Sequence, residues 1–320
     1  MGGPGASVLV TCFAAAAVVA AVATPGVIAL ALRTGAVDHP RSRRVHESPT
    51  PTWGGLAMLI GFVTAMGAGL LAAGAGRIGP DVPLGHLAAV VLGASAISVL
   101  GAIDDRCEMR SLPKLLGQVA CAALLLPFGV TISGLAGHPV PAWLGGALTV
   151  AWVVAIVNAI NFIDGLDGLA AGVVAIASVA LAAVALDRGQ LGAAAMSAAL
   201  AGCATGFLPY NFNPARVFMG DLGSHFLGYT AAAIAVLGTF KIAASVVLVT
   251  PVVAFAVPIL DTAWAMIRRY HTGHPIARGD RNHLHHRLLE SGLSQRQAVL
   301  IIYAVTAVCS ALAVAMSWPS

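Results

Sequence analysis

Two adjacent carboxylates, Asp104 and Asp105, close an apolar run at Gly101-Ala-Ile-Asp-Asp-Arg106. Like charges side by side repel unless a proton or cation offsets them, and a hard divalent ion such as Mg²⁺ takes oxygen ligands of this kind. A solvated helix end would explain an isolated pair equally well, so the neighbouring motifs must decide. The segment Asn158 to Leu169 places Asn161, Asp164 and Asp167 at three-residue intervals, with Gly165 and Gly168 permitting close approach of a ligand. Capping the following helix would occupy one aspartate and leave the rest of the run unexplained.

The segment Tyr210 to Ser224 carries Asn211, Phe218 and Asp221. Asp221 stands where the next apolar run begins, a position suited to an N-cap and equally to a metal that brings phosphate to a helix N-terminus. Phe218 is either core or a stacking surface for a base. The last polar segment, Gly279 to Leu288, contains Arg281, His283, His285, His286 and Arg287. His-x-His-His between two arginines is a dense donor cluster for phosphate oxygens. Zinc is the rival ligand and ranks lower, because no cysteine is near.

These groups stand out because little else in the chain is polar. Of 320 residues, 58% are hydrophobic and 9% charged, with mean hydropathy +0.89. A soluble domain carries about 25% charged residues to cover its surface, so the composition points to an all-α integral membrane protein and excludes nucleic-acid-binding, secreted and disulfide-framework classes. The five cysteines are odd in number and lack C-x-x-C spacing. Ten runs approach the roughly 20 apolar residues that a span requires: Ser7–Leu32, Trp53–Gly74, Gly85–Ile103, Leu115–Ala136, Trp143–Ile160, Leu169–Leu186, Leu191–Leu208, Leu222–Leu237, Ile242–Ile267 and Ala298–Ser317. Pro127 and Gly129 in the fourth, and Pro251 and Pro258 in the ninth, predict kinks or breaks. The first run is too long for a signal peptide and is kept in the mature chain. No soluble domain or internal repeat is visible, so residues 1–320 form a single domain.

With loops alternating sides, every Lys and Arg except Arg77, Arg188 and Lys241 falls on one face. The positive-inside rule makes that face cytoplasmic and puts both termini outside. The acids gather there too, leaving only Asp81 and Asp187 outside, so the active face is cytoplasmic. Asp261, near the cytoplasmic end of the ninth run, is expected to make a structural polar contact. Acidic Mg²⁺ ligands opposite a cationic clamp suit the handling of a diphosphate, whose transfer needs charge neutralisation and in-line positioning. A chain with so little extramembrane bulk is expected to find one substrate in the lipid.

At these residues the chain resembles the polyprenyl-phosphate N-acetylhexosamine-1-phosphate transferases, the superfamily that includes phospho-MurNAc-pentapeptide translocase. The resemblance runs through Pro49-Thr-Pro-Thr52-Trp-Gly54-Gly55, Asp104-Asp105, Asn161 to Leu169, Asn211 to Ser224 and His283 to Leu288, in order along nearly the whole chain. It implies transfer of a sugar 1-phosphate from a UDP-sugar to undecaprenyl or another polyprenyl phosphate, with release of UMP. Carried over by motif, it puts Asp104 and Asp105 at the polyprenyl phosphate, one of them the candidate base. Asp221 becomes a Mg²⁺ ligand with Asp164 nearby, Mn²⁺ being an alternative ion. Asn161, Asp167, Asn211 and Phe218 line the nucleotide pocket, while Lys114, Arg281, His283, His285 and His286 meet phosphate and sugar. His-Leu-His-His-Arg-Leu resembles the GlcNAc-1-phosphate branch, making UDP-GlcNAc the expected donor. Family analogy suggests a homodimer. The alternatives are a phospho-MurNAc-pentapeptide or other UDP-HexNAc transferase and, in other classes, an intramembrane prenyltransferase or a secondary transporter. The first of these two offers no role for the histidines, and the second would gather its polar groups near the midplane.

Overall fold

The computed structural model describes residues 4–38, 49–73, 78–79, 81–135, 138–238, 251–272 and 284–317. Helices dominate them: α1 (Pro4–Thr34), α2 (Gly55–Ala73), α3 (Leu84–Cys107), α4 (Ser111–Ala123), α5 (Ala142–Ile163), α6 (Leu169–Asp187), α7 (Leu191–Asn211), α8 (Gly220–Gly238), α9 (Ala256–Thr272), α10 (Leu284–Glu290) and α11 (Gln295–Ser317). Two short antiparallel pairs interrupt the helices, β1 (Val37–Asp38) with β2 (Thr50–Pro51) and β3 (Gly134–Leu135) with β4 (His138–Pro139).

Eight of the helices among the described residues are long and apolar enough to cross a membrane: α1 to α7, with α4 extended to Phe128, and α11. The protein is therefore an integral, multi-pass, all-α membrane protein. The expected eighth run is helix α8, buried by its neighbours from Leu222 to Gly238. The expected ninth run lies partly outside the described residues, and α9 starts only at Ala256. The expected fourth run needs correcting. It starts earlier, at Ser111, and ends at Phe128, because Pro127 sits in a 3₁₀ turn and Gly129 takes φ 75°; Gly134–Leu135 then pairs with His138–Pro139.

Burial sorts the helices into a centre and a rim. In α7, 83% of the apolar stretch is enclosed by protein, against 17% in α4 and 22% in α1, whose exposed faces meet lipid. Lipid gives apolar helices no reason to prefer one another over acyl chains, so close packing through small residues must hold them together. The Ala-rich α7 meets α1 in this way. A Cβ on Gly202 or Gly206, one turn apart, would fall 2.3 or 2.1 Å from the carbonyl oxygens of Phe13 and Ala17. The centre carries α8, against which α2, α3 and α5 are packed. One end of α8 is where the polar motifs assemble.

Candidate active site

The C-termini of α3, α5 and α7 and the N-termini of α4, α6 and α8 converge at one end of the bundle. Helix α8 is set there by three devices. The Pro49 to Gly55 segment zips onto the residues preceding it: Phe218 N–H donates to Pro51 O (2.9 Å), Gly54 N–H to Phe218 O (2.9 Å) and Gly55 N–H to Met219 O (3.1 Å). Glycines let the backbones touch, since a Cβ on Gly101 of α3 would lie 2.4 Å from Asp221 O. Finally, Asp105 accepts hydrogen bonds from the Asp221 N–H (2.7 Å) and the Leu222 N–H (3.3 Å). The cap of α8 is thus the carboxylate of Asp105 on another helix, and the reading of Asp221 as the cap is corrected. Helix termini leave their first N–H groups unpaired and favour negative charge, which is why Asp105 fits there. Gly220 (φ 70°) completes the joint, because a Cβ would meet Asp105 Oδ2 at 2.5 Å.

Freed from capping, the Asp221 side chain points at two neighbours. Its Oδ1 accepts from Asn161 Nδ2 (2.5 Å), and its Oδ2 pairs with Lys114 Nζ (2.8 Å). Lys114 Nζ also lies 2.6 Å from Asp104 Oδ2, so a single ammonium bridges carboxylates from α3 and α8. The other oxygen of Asp104 accepts the Met109 N–H (2.7 Å), closing the end of α3 where Glu108 turns left-handed. Asn161 donates further to Ser224 Oγ (2.9 Å).

Asp164 differs from the rest. It stands at the C-cap of α5, and among the described residues its carboxylate makes no hydrogen bond or ion pair. Burial pushes its carboxyl well above the usual carboxylate range, and the carboxylates of Asp221, Asp105 and Asp167 push the same way. A carboxylate crowded by others is the environment a cation relieves.

Other motif residues act as braces. Asp167 Oδ2 accepts from Asn213 Nδ2 and Ala215 N–H, both at 3.0 Å. Asn211 is buried, accepting from Gly168 N–H (3.1 Å) and donating to Val217 O (2.9 Å). Neither Asp164 nor Asp167 caps α6: the N-cap is Gly168 at φ 80°, without a side-chain cap. Phe218 is half-buried. His285 is buried over Gly165, where a Cβ would meet its Nε2 at 2.4 Å, and its ring lies 4.3 Å from that of His286. Asp261 holds this segment by accepting the Leu284 N–H (2.8 Å), the structural contact expected of it. Arg281 and His283 lie outside the described residues.

Sequence reasoning missed Gln118 and His225, both buried and joined at 3.2 Å between ring and amide nitrogens. The available signal was their spacing, four residues beyond Lys114 and Asp221, which puts each pair on one helix face.

Among the described residues no three His, Cys, Asp or Glu side chains stand close enough together to hold an ion unaided. Mg²⁺ does not require them, since it commonly takes one or two carboxylates and fills its octahedron with water and substrate phosphates. The unpaired, crowded Asp164 beside Asp221 fits that demand.

Residues 87–239, which span α3 through α8, match the pattern described as glycosyl transferase family 4. A Bacillus subtilis protein named "Probable undecaprenyl-phosphate N-acetylglucosaminyl 1-phosphate transferase" is 38% identical over 313 residues, covering 96% of this chain and 85% of its own length. This chain belongs to glycosyl transferase family 4. The decaprenyl-phosphate N-acetylglucosaminephosphotransferase of Mycolicibacterium smegmatis is 39% identical over 319 residues, covering 90% of this chain and 77% of its own. The undecaprenyl-phosphate alpha-N-acetylglucosaminyl 1-phosphate transferase of Salmonella typhi is 26% identical over 295 residues, covering 89% and 77%. The family match contains every aspartate of the site, from Asp104 to Asp221.

Proposed function

We propose that this protein transfers N-acetylglucosamine 1-phosphate from UDP-GlcNAc to undecaprenyl or another polyprenyl phosphate and releases UMP. The observation that carries the reading is the ring of helix ends around Lys114, Asp164 and Asp221, in a chain whose relatives bear the names of that reaction. The site faces the cytoplasm of the plasma membrane in this reading, since the segments that carry its motifs hold most of the Lys and Arg of the sequence.

In the reaction, a phosphate oxygen of the lipid attacks the sugar-bearing phosphorus of the donor, and the bond to the UMP oxygen breaks. No protein base is needed, because a phosphate monoester with a second pKa of about 6 is already largely ionised near pH 7. Asp104 therefore serves by holding Lys114, and Asp105 by capping α8, while Lys114 is the cation within reach of incoming phosphate. Asp164 and Asp221 would hold Mg²⁺, which when bound offsets the charge of the diphosphate. His285, packed on Gly165, and His286, whose ring lies beside it, supply donors to the sugar-phosphate end. On the lipid side, an apolar cleft of about 470 Å³ between α4 and α5, lined by Val119, Leu126, Val150 and Val154, gives a prenyl tail room beside the helices that carry Lys114 and Asn161.

Purified protein in detergent with undecaprenyl phosphate and Mg²⁺ tests this. UMP release is expected with UDP-GlcNAc, and not with UDP-GalNAc or UDP-MurNAc-pentapeptide, and it should vanish in Asp221→Asn. Release with the pentapeptide donor alone would overturn the assignment of the sugar. Silence with every UDP-sugar would overturn the reaction.

A further inference from the structure

Below the Lys114–Asp221 pair lies a second polar contact that the reaction as described leaves unused. Lys114 and Gln118 share one face of α4, Asp221 and His225 one face of α8, and Asn161 and Asn158 one face of α5, so the same three helices meet twice. Asn158 Nδ2 donates to Val154 O (2.8 Å) and to Gln118 Oε1 (2.7 Å), and Gln118 Nε2 lies 3.2 Å from His225 Nε2. Gln118 is 1% exposed and His225 fully buried.

The direction of this chain is forced. A backbone carbonyl can only accept, so the Asn158 amide nitrogen must face Val154 O. The Gln118 atom facing that nitrogen must then be its oxygen, which turns the Gln118 nitrogen toward the imidazole. His225 Nε2 must accept, so the ring is neutral and its proton sits on Nδ1. That Nδ1 is itself buried without a hydrogen-bond partner. Leaving a buried donor unpaired is unfavourable, and an apolar contact would avoid it. Buried polar contacts of this kind give a helix pair a register that apolar contacts leave loose.

We propose that Asn158, Gln118 and the neutral, Nδ1-protonated ring of His225 are positioning residues that lock α4 against α8, so that Lys114 is held between Asp104 and Asp221. The inference rests on the site being the transferase centre. His225→Phe, which keeps a flat, slightly larger ring but accepts nothing from Gln118, is expected to lower kcat for UMP release at least tenfold, with KM for UDP-GlcNAc and undecaprenyl phosphate within threefold of the parent. His225→Gln, whose Oε1 can accept from Gln118, should recover activity to within threefold. In a Lys114→Arg background, where the ammonium is gone, the His225→Phe effect should shrink at least threefold. Equal His225→Phe factors in both backgrounds, or no recovery in a folded His225→Gln, would overturn the proposal. The tautomer has a readout independent of turnover: in ¹⁵N-histidine-labelled protein, the signals lost in His225→Gln should show a protonated Nδ1 and a bare Nε2. A protonated Nε2 refutes the chain even if the enzyme is active, whereas a correct tautomer in a protein inactive with every donor would point to failure of the transferase reading instead.

Discussion

Gly101→Ala offers the sharpest test of how packing sets the chemistry. Gly101 sits one turn before Asp105 on α3, facing the start of α8. The added Cβ would lie 2.4 Å from Asp221 O and 2.5 Å from Leu222 N, whereas ordinary contacts begin at 3.4 Å. Both near atoms are backbone, so the helices must part by about 1 Å, which stretches the 2.7 Å bond from Asp221 N–H to Asp105 to about 3.7 Å, beyond hydrogen-bond range. Loss of that cap costs about 1 kcal/mol, and overpacking typically adds about 1–3 kcal/mol. Because Asp104 and Lys114 lie across the same joint, a displacement of this size is expected to lower UMP release about 100-fold. The assay is UMP release at saturating UDP-GlcNAc and undecaprenyl phosphate, alongside the thermal unfolding midpoint in the same detergent. Gly67→Ala is the control, since nothing lies within 4 Å of its Cβ position. Activity within threefold of the parent and an unchanged midpoint for Gly101→Ala would refute the claim that this contact sets the site.

Asp164→Asn should reduce UMP release at least about 100-fold, as expected for loss of a group that stabilises transferring charge. It should leave the unfolding midpoint unchanged or raised. A carboxyl whose folded pKa is raised costs stability at neutral pH, so removing its charge relieves that cost, and a clearly lowered midpoint would count against the reading. Asp167→Ala strips the acceptor from Asn213 and Ala215 and should lower stability by about 1–3 kcal/mol while KM for UDP-GlcNAc stays within about threefold. A specific rise in that KM without a stability loss would instead place Asp167 against the nucleotide. Gly165→Ala should displace the His285 ring, the nearest atom being 2.4 Å from the new methyl, and lower kcat/KM for UDP-GlcNAc about tenfold or more, which steady-state kinetics over donor concentration would read.

The polar motifs were legible because an apolar chain tolerates few charges, and each one kept inside it demands a reason. Asp104, Lys114, Asn161, Asp164 and Asp221 do converge, and the helices carrying them lie where the hydropathy runs lie. What the runs could not reveal is which neighbour each residue meets. Spacing tells which side chains share a helix face, but Asp105 meets α8 only because Gly101 and Gly220 let the backbones close, a relation between distant segments. Asn211 and Asp167 read as ligand-facing polar groups because a brace and a binding residue have the same composition. Gln118 and His225 escaped notice inside runs apolar enough to hide them. The fourth run was drawn too long because hydropathy continues through Leu124 to Leu126, although Pro127 and the left-handed Gly129 end the helix.

The charges of the assembled site do not balance. Asp104, Asp105, Asp164 and Asp221 contribute four carboxylates, faced among the described residues by the Lys114 ammonium and by the N-terminus of α8, which is worth about half an elementary charge. Two of those carboxylates are held in place by that one ammonium, and a third by the α8 backbone. Burial, and then crowding by Asp221, Asp105 and Asp167, together hold Asp164 back from ionising. Such a centre repels a diphosphate and a lipid phosphate alike, so neither substrate can settle against Lys114 unless positive charge arrives with it. Protonating Asp164 would remove one charge and supply no ligand for phosphate. A divalent cation on Asp164 and Asp221 would remove two and leave coordination positions open for phosphate oxygens, which is the physical case for proposing Mg²⁺.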